Sequence, residues 1–428
     1  MTENFLHYMW QNRLFSHALT TTLDEPINVI NPGFHNFNAG PDFSDARLSI
    51  GDTMWAGNVE IHVNSSDWFK HGHQDDEAYR NVVLHVVYNH DAVDKFPGMP
   101  VCELAGKIDI ELFDAYLKFI GSRQFIHCAN RINQVAETDI SLWLERMLIE
   151  KLEHKADFIQ DALTTSQNDW EEALYHIIAR SFGFNINGLP FEMLARSITY
   201  KILAHHAGNT FQIEALLFGQ AGMLTQDILD PYGQSLFQEY SFLRKKYNLV
   251  PIATSLWKFM RLRPVNFPTI RISQFADLLS RNAGLLSKII SMNSMDEMVA
   301  IFKVQASGYW DDHYTFDNFT KGKPKRLGDA AAHLLIINAV LPFMFVYGSS
   351  TGKDQLCNKA LSLFEQVPGE KNTSISEWKA AGLDVSTAYK TQALMGLKVA
   401  YCDKQACLNC RIGNLIFKDP GFVTGLGR

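Results

Sequence analysis

The chain has 428 residues, 46% hydrophobic, 20% charged and 12% aromatic, with a formal net charge of −7. At roughly 100–200 residues per domain, this length predicts two or three domains, each able to bury its own core. With 29 Phe, 8 Trp, 14 Pro and 27 Gly, disordered, collagen-like and low-complexity classes are excluded, and so is a protein coated in base throughout, though not a local basic groove.

The start, MTENFLHYMWQNRLF, lacks a basic segment leading into an apolar one and a small-residue cleavage site, so no targeting signal is expected. A short helix is predicted over residues 5–16. INVINPG then reads as a β run closed by Pro-Gly, and ARLSI (46–50) and NVEIHV (58–63) read as a hairpin around GDTMWAG. VVLHVVY (82–88) is continuous and β-branched, as a strand covered on both faces should be. Nine of the 15 His fall within residues 1–130, where these strand patterns concentrate. From about 109 onward the apolar spacing becomes helical, through DIELFDAYLKFIGSR, ISLWLERMLIEKLEHKADFIQDAL, EEALYHIIARSFG, FEMLARSITYKILAHHA and further stretches up to 387–402. The apolar run 330–348 carries His333, Asn338 and Pro342 and reads as a Pro-broken core helix rather than a membrane span. The predicted class is α+β: a mixed α/β domain over 1–130 and an all-α region over 131–428, in a soluble, cytoplasmic protein that does not engage membranes.

Three polar clusters accompany the strands: NAGPDF with Asn38 and Asp42, VEIH with Glu60 and His62, and DWFKHGHQDD with His71 and His73. On a strand Glu60 and His62 point to one face. An acid at a preceding turn, Asp42, can join Glu60 around a hard divalent cation, magnesium or manganese, leaving positions open for water and a phosphate. An HxH pair on an extended segment places both rings on one side. A second chemistry uses the same atoms: His62, His71 and His73 with Glu60 would hold zinc or iron, with Asp42 outside the ligand set or acting as general base. A turn Asp can instead merely shape its turn, and His85 inside VVLHVVY reads as a hydrogen-bonded core histidine.

PDF, a hairpin and VEIH together resemble the PD-(D/E)xK nuclease core, in which a Pro-Asp and a later acid-x-Lys bind metal and activate water. The resemblance implies a restriction-endonuclease-like sheet, Asp42 and Glu60 as metal ligands, and His62 where that pattern has its Lys. Imidazole can act as base or ligand, but it does not copy a fixed ammonium charge. An acid on the first helix of such a core would fall near Glu3 or Gln11. Over nearly the whole chain, NAGPDF, GNVEIHVNSSDWFKHGH, NVVLHVV, EALLFGQAG, RPVNFPTIRISQFA and YCDKQACLNCRIG resemble an uncharacterised bacterial family, domain-of-unknown-function family 2851, which implies no particular activity.

Residues 240–276 hold no acid and seven bases: Arg244, Lys245, Lys246, Lys258, Arg261, Arg263 and Arg271. Lys258, Arg261, Arg263 and Arg271 interleave with Trp257, Phe259 and Phe267, a pattern that can grip DNA or RNA phosphates while bases stack on the aromatics. The alternative is a solvated basic face over core aromatics. A further cluster, Lys321, Lys323, Lys325 and Arg326, lies in a Gly/Pro loop. Near the C-terminus, Cys402, Cys407 and Cys410 sit close enough to converge on zinc or an iron–sulfur centre, with Cys128, Cys357 or a His available as fourth ligand. Three functions follow: a metal-dependent, nuclease-like phosphodiesterase acting on nucleic acid; a catalytically inactive module on the same scaffold that binds nucleic acid or protein; or a zinc or iron metallohydrolase of a small substrate. The sequence does not set the oligomeric state.

Overall fold

A computed structural model describes the chain apart from residues 37–38, 93–95, 97, 123, 420 and 425–428. Asn38 of the first polar cluster therefore lies outside the described residues. The fold is α+β, and it divides into two compact units. The first comprises Met1–Trp143, Glu377–Leu383 and Leu397–Arg428; the second comprises Leu144–Ser376 and Asp384–Gly396. Where the sequence suggested one cut near residue 130, the division is discontinuous, and the chain returns to the first unit at its end.

The first unit opens with helix α1 (Glu3–Asn12), whose start is capped by Thr2 and whose residues 5–10 are all buried. A seven-stranded mixed sheet follows: β1 (Leu19–Thr20), β2 (Pro26–Asn31), β3 (Phe34–His35), β4 (Phe43–Ile50), β5 (Thr53–Asn64), β6 (Val82–Asn89) and β7 (Val101–Glu103). Its order is β1-β2-β4-β5-β6-β7, with β3 also beside β4. The strands from β1 to β5 pair antiparallel, whereas β6 runs parallel to β5 and β7 parallel to β6. Parallel neighbours need a crossover. The short helix α2 (Asp67–Lys70) and the turns after it supply one, and they hang the third polar cluster over the sheet. Beyond the strands, Thr22 N–H donates to Val101 O at 2.8 Å, which brings the two edges of the sheet towards each other and protects them.

The expected hairpin is present, but β5 begins at Thr53, so TMWAG belongs to the strand. Residues 57 and 59–62 of β5 are buried, as are 83–87 of β6, and the near-continuous apolar run of β6 follows from that burial. The β4–β5 ladder slips by one residue between Phe43 and Ala46, with Asp45 at φ +57°. Such a bulge bends its strand and re-aims the residues beside it, here Asp42.

Helix α3 (Ile110–Ile120) precedes α4 (Glu137–Thr165), inside which the two units divide. The second unit is helical apart from the small hairpin β8 (His313–Thr315) and β9 (Asn318–Phe319). FEMLARSITYKILAHHA, one helix by periodicity, is broken at Ile198, which is extended, because Tyr200 N–H is drawn to the Glu172 carboxylate at 2.9 Å. Residues 329–350 form a helical run long and apolar enough to cross a membrane, but 61% of its most apolar stretch is buried inside the protein. Its centre, Ile336–Val340, is a π-turn. Pro342 cannot donate to the carbonyl four residues back, and that carbonyl, Asn338 O, accepts instead from Lys155 Nζ at 3.3 Å.

Gly57 permits the closest β5–β6 approach: a Cβ there would lie 2.4 Å from Val83 Cγ1 and 2.7 Å from Asn81 O. Gly57→Ala should therefore destabilise the first unit by about 1–3 kcal/mol, read as a lowered denaturation midpoint.

Candidate metal centre

The centre is built where β4 begins beside the middle of β5. Asp42 and Glu60 clasp each other through the backbone: Asp42 N–H donates to Glu60 Oε2 at 3.0 Å, and Ile61 N–H donates to Asp42 Oδ2 at 2.9 Å. Both carboxylates thereby have their orientation fixed by main-chain donors. The Glu60 side chain is 6% exposed and that of Asp42 22%, so Asp42 is the one open to solvent.

Alternation on β5 places His62 on the face of Glu60, as expected. His62 Nε2 is 3.5 Å from Glu60 Oε1, and His73 Nε2 is 3.2 Å from the same oxygen. His71 Nδ1 lies 3.2 Å from His62 Nε2. The histidine pair is not extended, however. His71 ends α2, His73 starts a 3-10 turn, and Gly72 between them adopts φ +74°, a left-handed conformation that glycine reaches without strain. This kink turns both rings inward, and His62, His71 and His73 each present a ligand atom within 4.8 Å of the others. Contacts of 3.2–3.5 Å match the edge of about 3.4 Å spanned by neighbouring ligands 2.0–2.1 Å from a tetrahedral ion.

The electrostatics suit this geometry. Burial first, and the Asp42 charge second, push the Glu60 carboxyl up to about 8. Burial first, then His73 and His71, hold the His62 imidazole down at about 4, and burial lowers His73 as well. Near pH 7 His62 is therefore neutral and offers a lone pair rather than a fixed positive charge.

Three contributors, His85, His7 and Tyr79, were not assigned to the site from sequence, and a fourth, Glu3, was named only through the nuclease resemblance. His85, at register with Glu60 on β6, is fully buried, and its Nε2 lies 2.9 Å from His62 Nδ1. For His62 Nε2 to present a lone pair its proton must sit on Nδ1, where His85 accepts it. His7 Nε2 stands 3.2 Å from Asp42 Oδ2. Tyr79 stacks on His73 with ring centroids 3.8 Å apart. Glu3 is raised by burial and then by the Asp42 charge, which places it at the rim of the same centre. Glu3 and His7 share one face of α1 at i, i+4 spacing, a periodic signal that was legible.

Of the basic residues, Lys258, Arg261 and Arg263 are exposed. Arg271 is buried: its guanidinium bonds Gln274 and Asn266, lies over the Phe184 ring, and lines a cavity of about 870 Å³ within the second unit. Trp257 is also buried, with its indole N–H on Ala221 O, while Phe259 and Phe267 pack on each other. Trp257 thus serves the core, where the interleaved pattern had suggested a stacking platform, while Phe259 and Phe267 remain half-buried. Lys325 is buried as well, its ammonium on Trp310 O and Asp311 O. Cys402, Cys407 and Cys410 are brought together, and Cys128 joins them.

These features define a chain that pairs a mixed-sheet unit holding a histidine-carboxylate centre with a helical unit. The chain belongs to the family described as protein of unknown function (DUF2851), whose model matches residues 3–373. No curated protein and no solved structure matches it.

Glu60 makes a sign-definite prediction for metal-free protein. A carboxyl raised from 4.5 to about 8 on folding contributes stability below 4.5 that is lost as pH climbs through 8. His62 and His73, lowered on folding, act oppositely, but only below about 6.5. In chelated protein, stability should therefore fall by about 2 kcal/mol between pH 6.5 and 8, at 1.36 kcal/mol per unit. Glu60→Gln should flatten that slope in a thermal-unfolding series; an unchanged slope would place the charge elsewhere.

Proposed function

We propose that this protein is a metal-dependent hydrolase of phosphodiesters, with nucleic acid as its substrate class. One observation carries the reading: the Asp42–Glu60 clasp stands beside three convergent imidazoles, in the hairpin order that the nuclease resemblance implies. His62, His71 and His73 would hold the divalent ion and leave its fourth position to water, with Glu60 beside His62 and His73 at the edge of the set. Imidazole favours zinc or iron over magnesium and manganese, which prefer oxygen ligands. Such an ion supplies Lewis acidity and a bound water of lowered pKa. Asp42, the more exposed carboxylate, accepts the attacking water's proton, and His7 at 3.2 Å is placed to receive it in turn. His85 keeps the His62 proton on Nδ1. In the second unit, Lys258, Arg261 and Arg263 are free to grip backbone phosphates.

A non-catalytic binding module is the second reading, favoured by His62 itself. It replaces the nuclease pattern's Lys, and a neutral imidazole gives a developing phosphate charge no fixed cation.

The test is cleavage of DNA, RNA and a simple phosphodiester ester with zinc, manganese or magnesium supplied in turn. Asp42→Asn should retain metal and lose about 10²–10⁴ in rate, whereas His62→Ala should lose the metal itself. Metal-loaded protein that cleaves none of them overturns the hydrolase. Under the binding reading alone, an Arg261/Arg263 double-alanine variant would still reduce the salt slope of nucleic-acid affinity by about 2.

His85 makes a separate prediction. His85→Leu should weaken metal affinity about 10- to 100-fold by titration calorimetry, and His85→Gln, which keeps an acceptor, should weaken it less.

A further inference from the structure

The cysteine cluster lies apart from the histidine centre. Cys128, in the turns after α3, lines one small cavity together with Cys402, Cys407 and Cys410. All four belong to the first unit, although Cys128 and Cys402 are separated by most of the chain. None is in a disulfide. Cys102, in β7, and Cys357, whose thiol donates to Phe345 O in the second unit, do not line that cavity. Placement thereby removes Cys357 from the candidates for fourth ligand; His127 also lines the cavity, but its Nδ1 is engaged with Ser122 Oγ at 3.0 Å.

Burial raises all four thiols, so thiolates here need a metal's charge and directed donors to hold them. Cys410 immediately precedes the helix Arg411–Lys418, and the N–H groups of Ile412 and Gly413 point at its sulfur. The indole N–H of Trp143, buried and otherwise without a partner, lies beside the same sulfur. Gly413 allows that helix start to sit against the CxxC loop, since a Cβ there would lie 2.1 Å from Cys407 O. Donors directed at a cysteine sulfur are the protein's means of stabilising a metal-bound thiolate.

Spacing along the chain favours an iron–sulfur centre over a single ion. Cys402, Cys407 and Cys410 follow a C-x4-C-x2-C pattern, and with a distant fourth cysteine that is a ligand spacing of four-thiolate iron–sulfur sites.

We propose that Cys128, Cys402, Cys407 and Cys410 ligate one iron–sulfur cluster of the four-thiolate class, which staples the C-terminal segment to the first unit. The proposal is independent of any hydrolase activity. It is tested on the full chain purified without oxygen, by iron, acid-labile sulfide and zinc content and by visible absorption. Iron and acid-labile sulfide in equal number, two or four of each per chain, are expected, with a broad visible band that dithionite bleaches. Cys128→Ser should lose most of the iron, whereas Cys357→Ser and Cys102→Ser should keep it. One zinc per chain, no metal at all, or a full iron complement in Cys128→Ser would each overturn the assignment. The wild-type analysis stands even if the Cys128 variant fails to fold.

Discussion

Two backbone hydrogen bonds hold the first unit's chemistry in place. Asp42 N–H reaches Glu60, and the N–H next to Glu60 reaches Asp42. A carboxyl group oriented by main-chain donors cannot wander as a long side chain can, so two acids are kept side by side at the start of β4 and the middle of β5, and without a cation Glu60 keeps its proton near neutral pH. The bulge at Asp45 makes the clasp possible, because it offsets the ladder just where Asp42 must turn towards its neighbour strand. The cost appears in Glu60, whose raised proton affinity records both burial and an unneutralised partner. A cation at this point would relieve both.

The imidazoles point to the same conclusion from the other sign. His62 has one ring nitrogen facing His85 and the other facing His71. A neutral imidazole carries one proton, so it donates in one direction and offers a lone pair in the other. Three more imidazoles and a phenol ring crowd the same space, and every shift resolved among these histidines runs towards the uncharged form. The cluster therefore presents lone pairs near neutral pH, which is the state that binds metal and the state that a merely cationic patch would lack.

Much of this was legible in the sequence. The sheet strands ARLSI, NVEIHV and VVLHVVY announce themselves by β-branching and alternation, and the helices by apolar spacing. Glu60 and His62 follow from strand parity alone. What the sequence hid depends on contacts distant along the chain or on backbone conformations a residue pattern does not fix. His71 and His73 converge through the left-handed Gly72, not through an extended HxH. His85 looked like an ordinary core residue and is one, yet its single partner is a site residue. Cys128 is separated from Cys402, Cys407 and Cys410 by the entire second unit, so no local spacing could select it over Cys357. Arg271 and Trp257 illustrate the converse: their pattern suggested a phosphate surface, but burial and side-chain bonds absorb them into the second unit's core.

The second unit supplies a comparison that sharpens the reading of the first. Glu214 is more deeply buried than Glu60, and burial raises it too. Its oxygens, however, accept from the hydroxyls of Ser273, Tyr232 and Ser307. Each partner has a proton to give, so the network closes on itself and needs nothing further; such a network fixes a core. Glu60 instead faces imidazoles that have little proton to spare and one backbone donor. Burial alone does not distinguish a structural carboxylate from a working one. The balance of donors and acceptors around it does: Glu60 meets few donors and keeps its proton to about pH 8, and that proton is what the proposed cation would replace.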